Sequence, residues 1–306
     1  MSLGIQGMSL EDTFQSWGKP PGSTEQEKCD NAERAVGKAI ASTSALSRVN
    51  IKVFPQGSYR NRTNVKQDSD VDICVLCTDV SFVDYSMSEG LTDSDVGLVS
   101  HPYAYPEFKN DVEKALRSYF GEDGITRGNK AFDIHENSYR VDADVVPCFE
   151  HRRYQRRSGG GYYYTSGTEL RSDKGGQIIN WPEQNYQNGV AKNEATSRRF
   201  KAVVRILKRL RNEMDENKVA AAKPIPSFLI ECLVWNVRSE GFGHDTYTAD
   251  VRWALAHLFN NTMKSQDCTE WGEINELKYL FRISQPWTME QAHAFVSAAW
   301  DYLGFK

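Results

Sequence analysis

Apolar residues recur at Cys29, Ala32, Val36 and Ile40, the spacing of one helix face, and predict a helix from Ser23 to about Thr43. Overlapping capping-box pairs, Ser23 with Gln26 and Thr24 with Glu27, mark its start. The period then changes. Residues 51–54 form a short apolar run that ends at Gly57 and Ser58. A second strand opens at Asp70 and continues through Ile73, Val75 and Leu76. Residues 84–100 are acidic, contain Gly and Ser, and hold few large apolar side chains, so they predict a surface loop. A helix is expected over 107–120 and strands over 125–134 and 138–149. Residues 162–164 and 168–171 predict a small hairpin, and 173–193 irregular chain. From Thr196 the helical period dominates. Phe200, Val203, Val204, Leu207 and Leu210 form an apolar stripe, and Arg198, Lys201, Arg205 and Lys208 a basic one. Further helices are predicted over 227–237, 248–260, 271–280 and 289–302. Strands mixed with helices, then helices alone, predict an α+β fold: a mixed-sheet lobe over 20–195 and a helical lobe over 196–306.

Two acidic strands interrupt the apolar pattern. Side chains alternate along a strand, so Asp70 and Asp72 point to one side, as do Asp142 and Asp144. Two carboxylates at one strand end repel each other unless a cation sits between them. Oxygen-only donors favour Mg2+ or Mn2+ over Zn2+. Gly57 lets the backbone approach a phosphate closely, and Ser58 offers a hydroxyl and an N–H to phosphate oxygens. A lone Asp-x-Asp is usually a solvated turn; its combination with a Gly-Ser turn and a second acidic strand points to metal-dependent nucleotide chemistry. Asp142 is read as a supporting or simply exposed carboxylate beside Asp144.

Length and composition leave this picture in place. The 306 residues suffice for two lobes with sizeable cores, and 40% hydrophobic with 25% charged residues is ordinary for a globular chain. The net charge of −4 gives no global pull toward nucleic acid or membrane. No run approaches the roughly 20 apolar residues of a membrane span. The first residues lack a basic start and an apolar run, so no secretory signal is expected; Met1 to Gly7 read as a tail. Six scattered cysteines read as reduced, partly buried thiols of a cytoplasmic protein. Cys74 and Cys77 have half the spacing of a zinc site, but no second pair completes it. Arg152 to Arg157 and Tyr162 to Tyr164 interleave charge and aromatics; a hairpin edge beside a solvated loop is preferred to a nucleic-acid surface.

Gln56, Gly57 and Ser58, then Asp70 and Asp72, then Asp144 to Pro147 resemble the pattern of the DNA polymerase β-like nucleotidyltransferases. More narrowly, the chain resembles the bacterial cGAS/DncV-like nucleotidyltransferases, relatives of cyclic GMP-AMP synthase and oligoadenylate synthase. The resemblance extends to Asn188 and Gly189, Lys192 and Asn193, the basic helix, and Pro226, Ser227 and Phe228. It implies a polymerase β-like catalytic lobe followed by a helical lobe. It also implies two Mg2+ (or Mn2+) ions on Asp70, Asp72 and Asp144, with Gln56, Gly57, Ser58, Lys201 and Ser227 around the triphosphate. Phe228 stands where relatives carry an aromatic that stacks on a base. Asn180 resembles a lid asparagine that reads uracil, the alternative being a turn residue before Trp181 and Pro182. The implied activity is synthesis of a cyclic oligonucleotide messenger from ATP with UTP or GTP, in anti-phage signalling through a separate effector protein. A pyrimidine-containing product such as cyclic UMP-AMP is favoured. The zinc-binding insertion and long basic face of the vertebrate enzyme have no counterpart, so activation by long nucleic acid is not expected. Transfer to another acceptor (RNA, protein or small molecule) and a non-catalytic nucleotide-binding module are the rival readings.

Overall fold

The computed structural model describes residues 9–65, 71–137, 139–264 and 268–306. In chain order its elements begin α1 (Leu10–Trp17), α2 (Ser23–Ala41), β1 (Ile51–Pro55), α3 (Gly57–Asn61), β2 (Val71–Met87) and α4 (Tyr105–Phe120). Strands β3 (Ile125–Arg127), β4 (Phe132–Ile134), β5 (Ala143–Arg156), β6 (Tyr162–Arg171) and β7 (Gln177–Asn180) follow. Helices α5 (Pro182–Ala195), α6 (Arg199–Glu216), α7 (Ser227–Asn236), α8 (Tyr247–Thr262) and α9 (Met289–Tyr302) complete the chain.

Gly22–Tyr59 with Ser69–Pro182 form one compact unit, built on a mixed sheet in the order β1-β2-β5-β4-β3. β2 and β5 run parallel; β1, β4 and β6 pair antiparallel with their neighbours in it. β6 joins the C-terminal half of β5, and β7 joins β6. Val71, Ile73, Val75, Val145 and Phe149 are buried in this unit's core with Val36 of α2 and Phe108 of α4. The predicted stripe of α2 is buried throughout.

Met1–Pro21, Arg60–Asp68 and Glu183–Lys306 form the second unit, with its own core around Phe200, Val203, Val204 and Leu207 of α6. The chain therefore divides at Pro182 and Glu183, ahead of the break at 196 read from the sequence, and two N-terminal stretches accompany the helices.

Five local expectations are corrected. Residues 125–134 form two strands, β3 and β4, paired antiparallel across a turn, instead of one. β2 runs on to Met87, because Ser81 to Asp84 keep pairing with β5 after a register shift. Residues 162–171 are one strand, held in unbroken register from Arg156 opposite Tyr162 to Phe149 opposite Glu169. Residues 173–193 hold β7 and most of α5; Pro182 pre-sets the first helical φ, and Asn188 Nδ2 donates to Ile274 O at 2.7 Å. Residues 271–280 are turns closed by a bridge between Gly272 and Tyr279, with Glu276 in the left-handed region at φ 58°. The six cysteines are buried free thiols, and no zinc-type cluster occurs among the described residues.

Candidate active site

At one end of the sheet the strand period separates two chemistries. Val71 and Ile73 point into the core, and Asp72 between them is partly exposed. β5 repeats the pattern with Ala143 and Val145 buried around Asp144. Parallel pairing puts Asp72 directly opposite Asp144, so both carboxylates rise from the same face of adjacent strands. Asp133 of β4 pairs with Asp144 from the other side and extends the row. Asp70 lies outside the described residues. Asp142 is turned to structure: its carboxylate accepts the Glu136 N–H, and its carbonyl accepts the Val71 N–H at 3.1 Å.

The Gly-Ser turn is fastened to this row. The Gln56 N–H donates to Asp72 O at 2.8 Å. Gly57 follows with φ 66°, a conformation that favours glycine, and a Cβ there would overlap Asp72 Oδ2. The missing side chain thus leaves the Asp72 carboxylate seated against bare backbone. Ser58 continues the same short helix, α3. Among the described residues the buried Gln56 Oε1 atom has no hydrogen-bond partner. Oxygen donors in register and a bare backbone cradle are the donor set that a hard divalent cation and phosphate oxygens fit.

The basic stripe of α6 resolves into different roles. Lys208 Nζ pairs with Glu231 Oε1 at 2.6 Å, both groups buried, and the Thr63 hydroxyl donates to the same oxygen at 2.8 Å. Arg205 donates to the carbonyls of Gly18 and Arg62. Lys201 is also buried, yet has no carboxylate partner among the described residues; its Nζ lies 5.8 Å from the centre of the Tyr186 ring. Burial lowers its pKa, and the charges of Arg205 and Arg62 lower it further. Of the three buried cations, Lys201 and Arg205 have no carboxylate partner among the described residues, and Lys201 lies near Tyr186. Ser227 opens α7 and its hydroxyl accepts from Arg211 at 2.9 Å. Phe228 is half-buried against the helical core, with its ring 6.3 Å from that of Trp287.

The family model for the cGAS/DncV-like nucleotidyltransferase C-terminal helical domain matches residues 187–304. The cyclic dipyrimidine nucleotide synthase CdnE of Legionella pneumophila is 48% identical over 293 residues, covering 96% of this chain and 97% of that protein. The chain belongs to the cGAS/DncV-like nucleotidyltransferases. Two solved structures of similar length share its fold. The Elizabethkingia meningoseptica CdnE cyclic dinucleotide synthase with GTP and Apcpp has a TM-score of 0.79 and 32% identity. That match covers 97% of this chain and 100% of the other. The Rhodothermus marinus CdnE c-UMP-AMP synthase with Apcpp and Upnpp has a TM-score of 0.82 and 27% identity, covering 96% of each chain.

Within this cGAS/DncV-like nucleotidyltransferase, Asn180 ends β7 in a row with Thr168 and Glu150. Alternation along β5 puts that row on the face of Asp144, but six residues further on, about 20 Å along the strand. Asp133 was missed in the sequence because its strand has only three residues; the alternation of Phe132, Asp133 and Ile134 is the signal that marks it. The asparagine and lysine of the 188–193 stretch hold the fold. Lys192 donates to the carbonyls of Trp235 and Val237 at the end of α7, and Asn193 Oδ1 caps the Lys201 N–H at 3.0 Å.

Proposed function

We propose that this protein joins nucleoside triphosphates into a cyclic dinucleotide containing at least one pyrimidine, releasing pyrophosphate at each bond. The observation that supports it most is the register of Asp72 opposite Asp144, with the bare Gly57 backbone seated against the Asp72 carboxylate. Two Mg2+ ions, held by Asp70, Asp72 and Asp144, would neutralise the phosphate oxygens and lower the pKa of the attacking ribose hydroxyl. Asp72 and Asp144 hold their charge at fixed positions set by two hydrogen-bonded strands. The backbone at Gly57 and the hydroxyl and N–H of Ser58 receive phosphate oxygens of the donor nucleotide. Lys201 supplies a cation without a carboxylate partner among the described residues, and Ser227 a hydroxyl at a helix start. Phe228 offers an aromatic face to a base in exchange for part of its packing against Trp287.

The pyrimidine preference rests on the Legionella relative, named a cyclic dipyrimidine nucleotide synthase, and on the Rhodothermus c-UMP-AMP synthase. We assign Asn180 to base recognition only for a nucleotide extended along β5, given its distance from Asp144. That the product is a messenger read by a separate effector protein in anti-phage signalling rests on the family alone. No helix among the described residues is long and apolar enough to cross a membrane.

Incubation with α-labelled nucleotides and Mg2+, followed by phosphatase, tests the reaction class. A cyclic product stays small and keeps its label. Label lost to phosphatase, or carried by macromolecule, would mean transfer to another acceptor.

A further inference from the structure

Arg205 of α6 is a buried cation whose partners are all neutral. Its Nε and Nη2 donate to Gly18 O at 2.8 and 2.5 Å, and its Nη1 donates to Arg62 O at 2.5 Å. Only 6% of the residue is exposed, and no carboxylate pairs with it among the described residues. Gly18 caps the C-terminus of α1, so that helix end supplies only a partial negative charge. A buried charge without a counter-charge is costly, which directs attention to what it faces. Arg205 lines a cavity of about 400 Å3, shared with Lys19, Arg198, Arg199 and the ring of Tyr247.

The open part of the wall carries Lys19 and Arg198 beside Gln15, Pro20 and one acid, Asp245. Lys19 and Arg198 are exposed and have no ion-pair partner among the described residues. Arg198 is held in the left-handed region at φ 65°, at the start of α6. Arg199 stacks 4.2 Å over the Tyr247 ring and pairs with Asp250 at 3.4 Å. Glu11 and Asp245 are the acidic lining residues. Both oxygens of Glu11 already accept hydrogen bonds, from the N–H groups of Tyr247 and Thr248 and from the Thr248 hydroxyl. Lys201 does not line the cavity.

We propose that this cavity binds a phosphate-bearing small molecule, between inorganic phosphate and a nucleoside monophosphate in size. Its anionic group supplies the counter-charge that Arg205 lacks. Three of the five guanidinium N–H donors are used, leaving two for the ligand. Lys19 and Arg198 close over the anion from the rim, and the Arg199–Tyr247 stack offers a flat surface for a base. None of these side chains is assigned above to nucleotidyl transfer, so the site stands apart from that reading.

The test is the melting temperature of the full chain in chelator, titrated with inorganic phosphate, with UMP, and with sodium chloride at matched ionic strength. Phosphate should raise it above the chloride control. The double variant Lys19→Glu with Arg198→Glu should need about tenfold more ligand for the same rise. UMP acting well below the phosphate concentration identifies a nucleotide as the ligand; equal concentrations identify free phosphate. A phosphate and UMP effect no larger than chloride, or one fully retained by the double variant, overturns the proposal.

Discussion

Asp72 and Asp144 stand side by side on one face because two parallel strands bring alternate residues into register, and each is flanked by side chains that the core requires. Gly57 belongs to the same arrangement. Replacing it with Ala forces a side chain into a left-handed backbone conformation and into Asp72 Oδ2. The left-handed strain alone costs about 1–2 kcal/mol. Gly57→Ala should therefore lower the melting temperature and cut pyrophosphate release by about tenfold or more. Unchanged turnover would show that the close approach is dispensable. At this scale the carboxylates were legible in the sequence, since a strand period places them without knowledge of the fold. The roles of the basic residues were not. Lys201, Arg205 and Lys208 share one helical stripe, and distant partners tell them apart: Glu231 neutralises Lys208, while Arg205 donates to the carbonyls of Gly18 and Arg62.

Elements are held by polar contacts that local propensity does not encode. Lys208 and Glu231 tie α6 to α7, and Thr63 brings the segment after the Gly-Ser turn to the same carboxylate. Glu231→Leu strands a buried ammonium and should destabilise the protein by about 3–5 kcal/mol in denaturant titration. Adding Lys208→Met should recover most of that loss; no recovery would mean that the pair carries little of the cost. Glu11 of α1 caps the start of α8. Burial raises its pKa, but the hydrogen bonds from Thr248 and Tyr247 outweigh burial and leave it below the usual glutamate range. Its folded pKa is lowered, so its contribution is present above the unfolded pKa and disappears as pH falls through the folded one. The gap in melting temperature between wild type and Glu11→Gln should therefore be largest near neutral pH and shrink in acid. A gap independent of pH would contradict the cap. The helices with strong apolar stripes, α2, α6 and α9, were legible; α5 was not, because Gly189 is its sole buried residue and its ties are to Ile274 and to the end of α7. Helix α1 went unread despite the Ser9 cap on the Asp12 N–H at 3.1 Å.

The whole molecule is two units with separate cores, and the chain passes between them several times. Composition alone could not reveal that Arg60–Asp68 and the N-terminal stretch belong with the helices, since neither carries a long apolar pattern. The α+β class and the order of the two lobes were legible from the shift in period near Thr196. The nature of the product was not, because carboxylates and a Gly-Ser turn act on phosphate and ribose, which every nucleotide shares. The proposed function joins that shared chemistry to a pyrimidine-containing ring. Mass spectrometry of the products formed from the four nucleoside triphosphates with Mg2+, by wild type and by Asp72→Asn, tests it most directly. The predicted result is a cyclic dinucleotide with at least one pyrimidine, absent from chelator-treated enzyme and from a folded Asp72→Asn variant. Linear products only, or the same ring from Asp72→Asn, would contradict it.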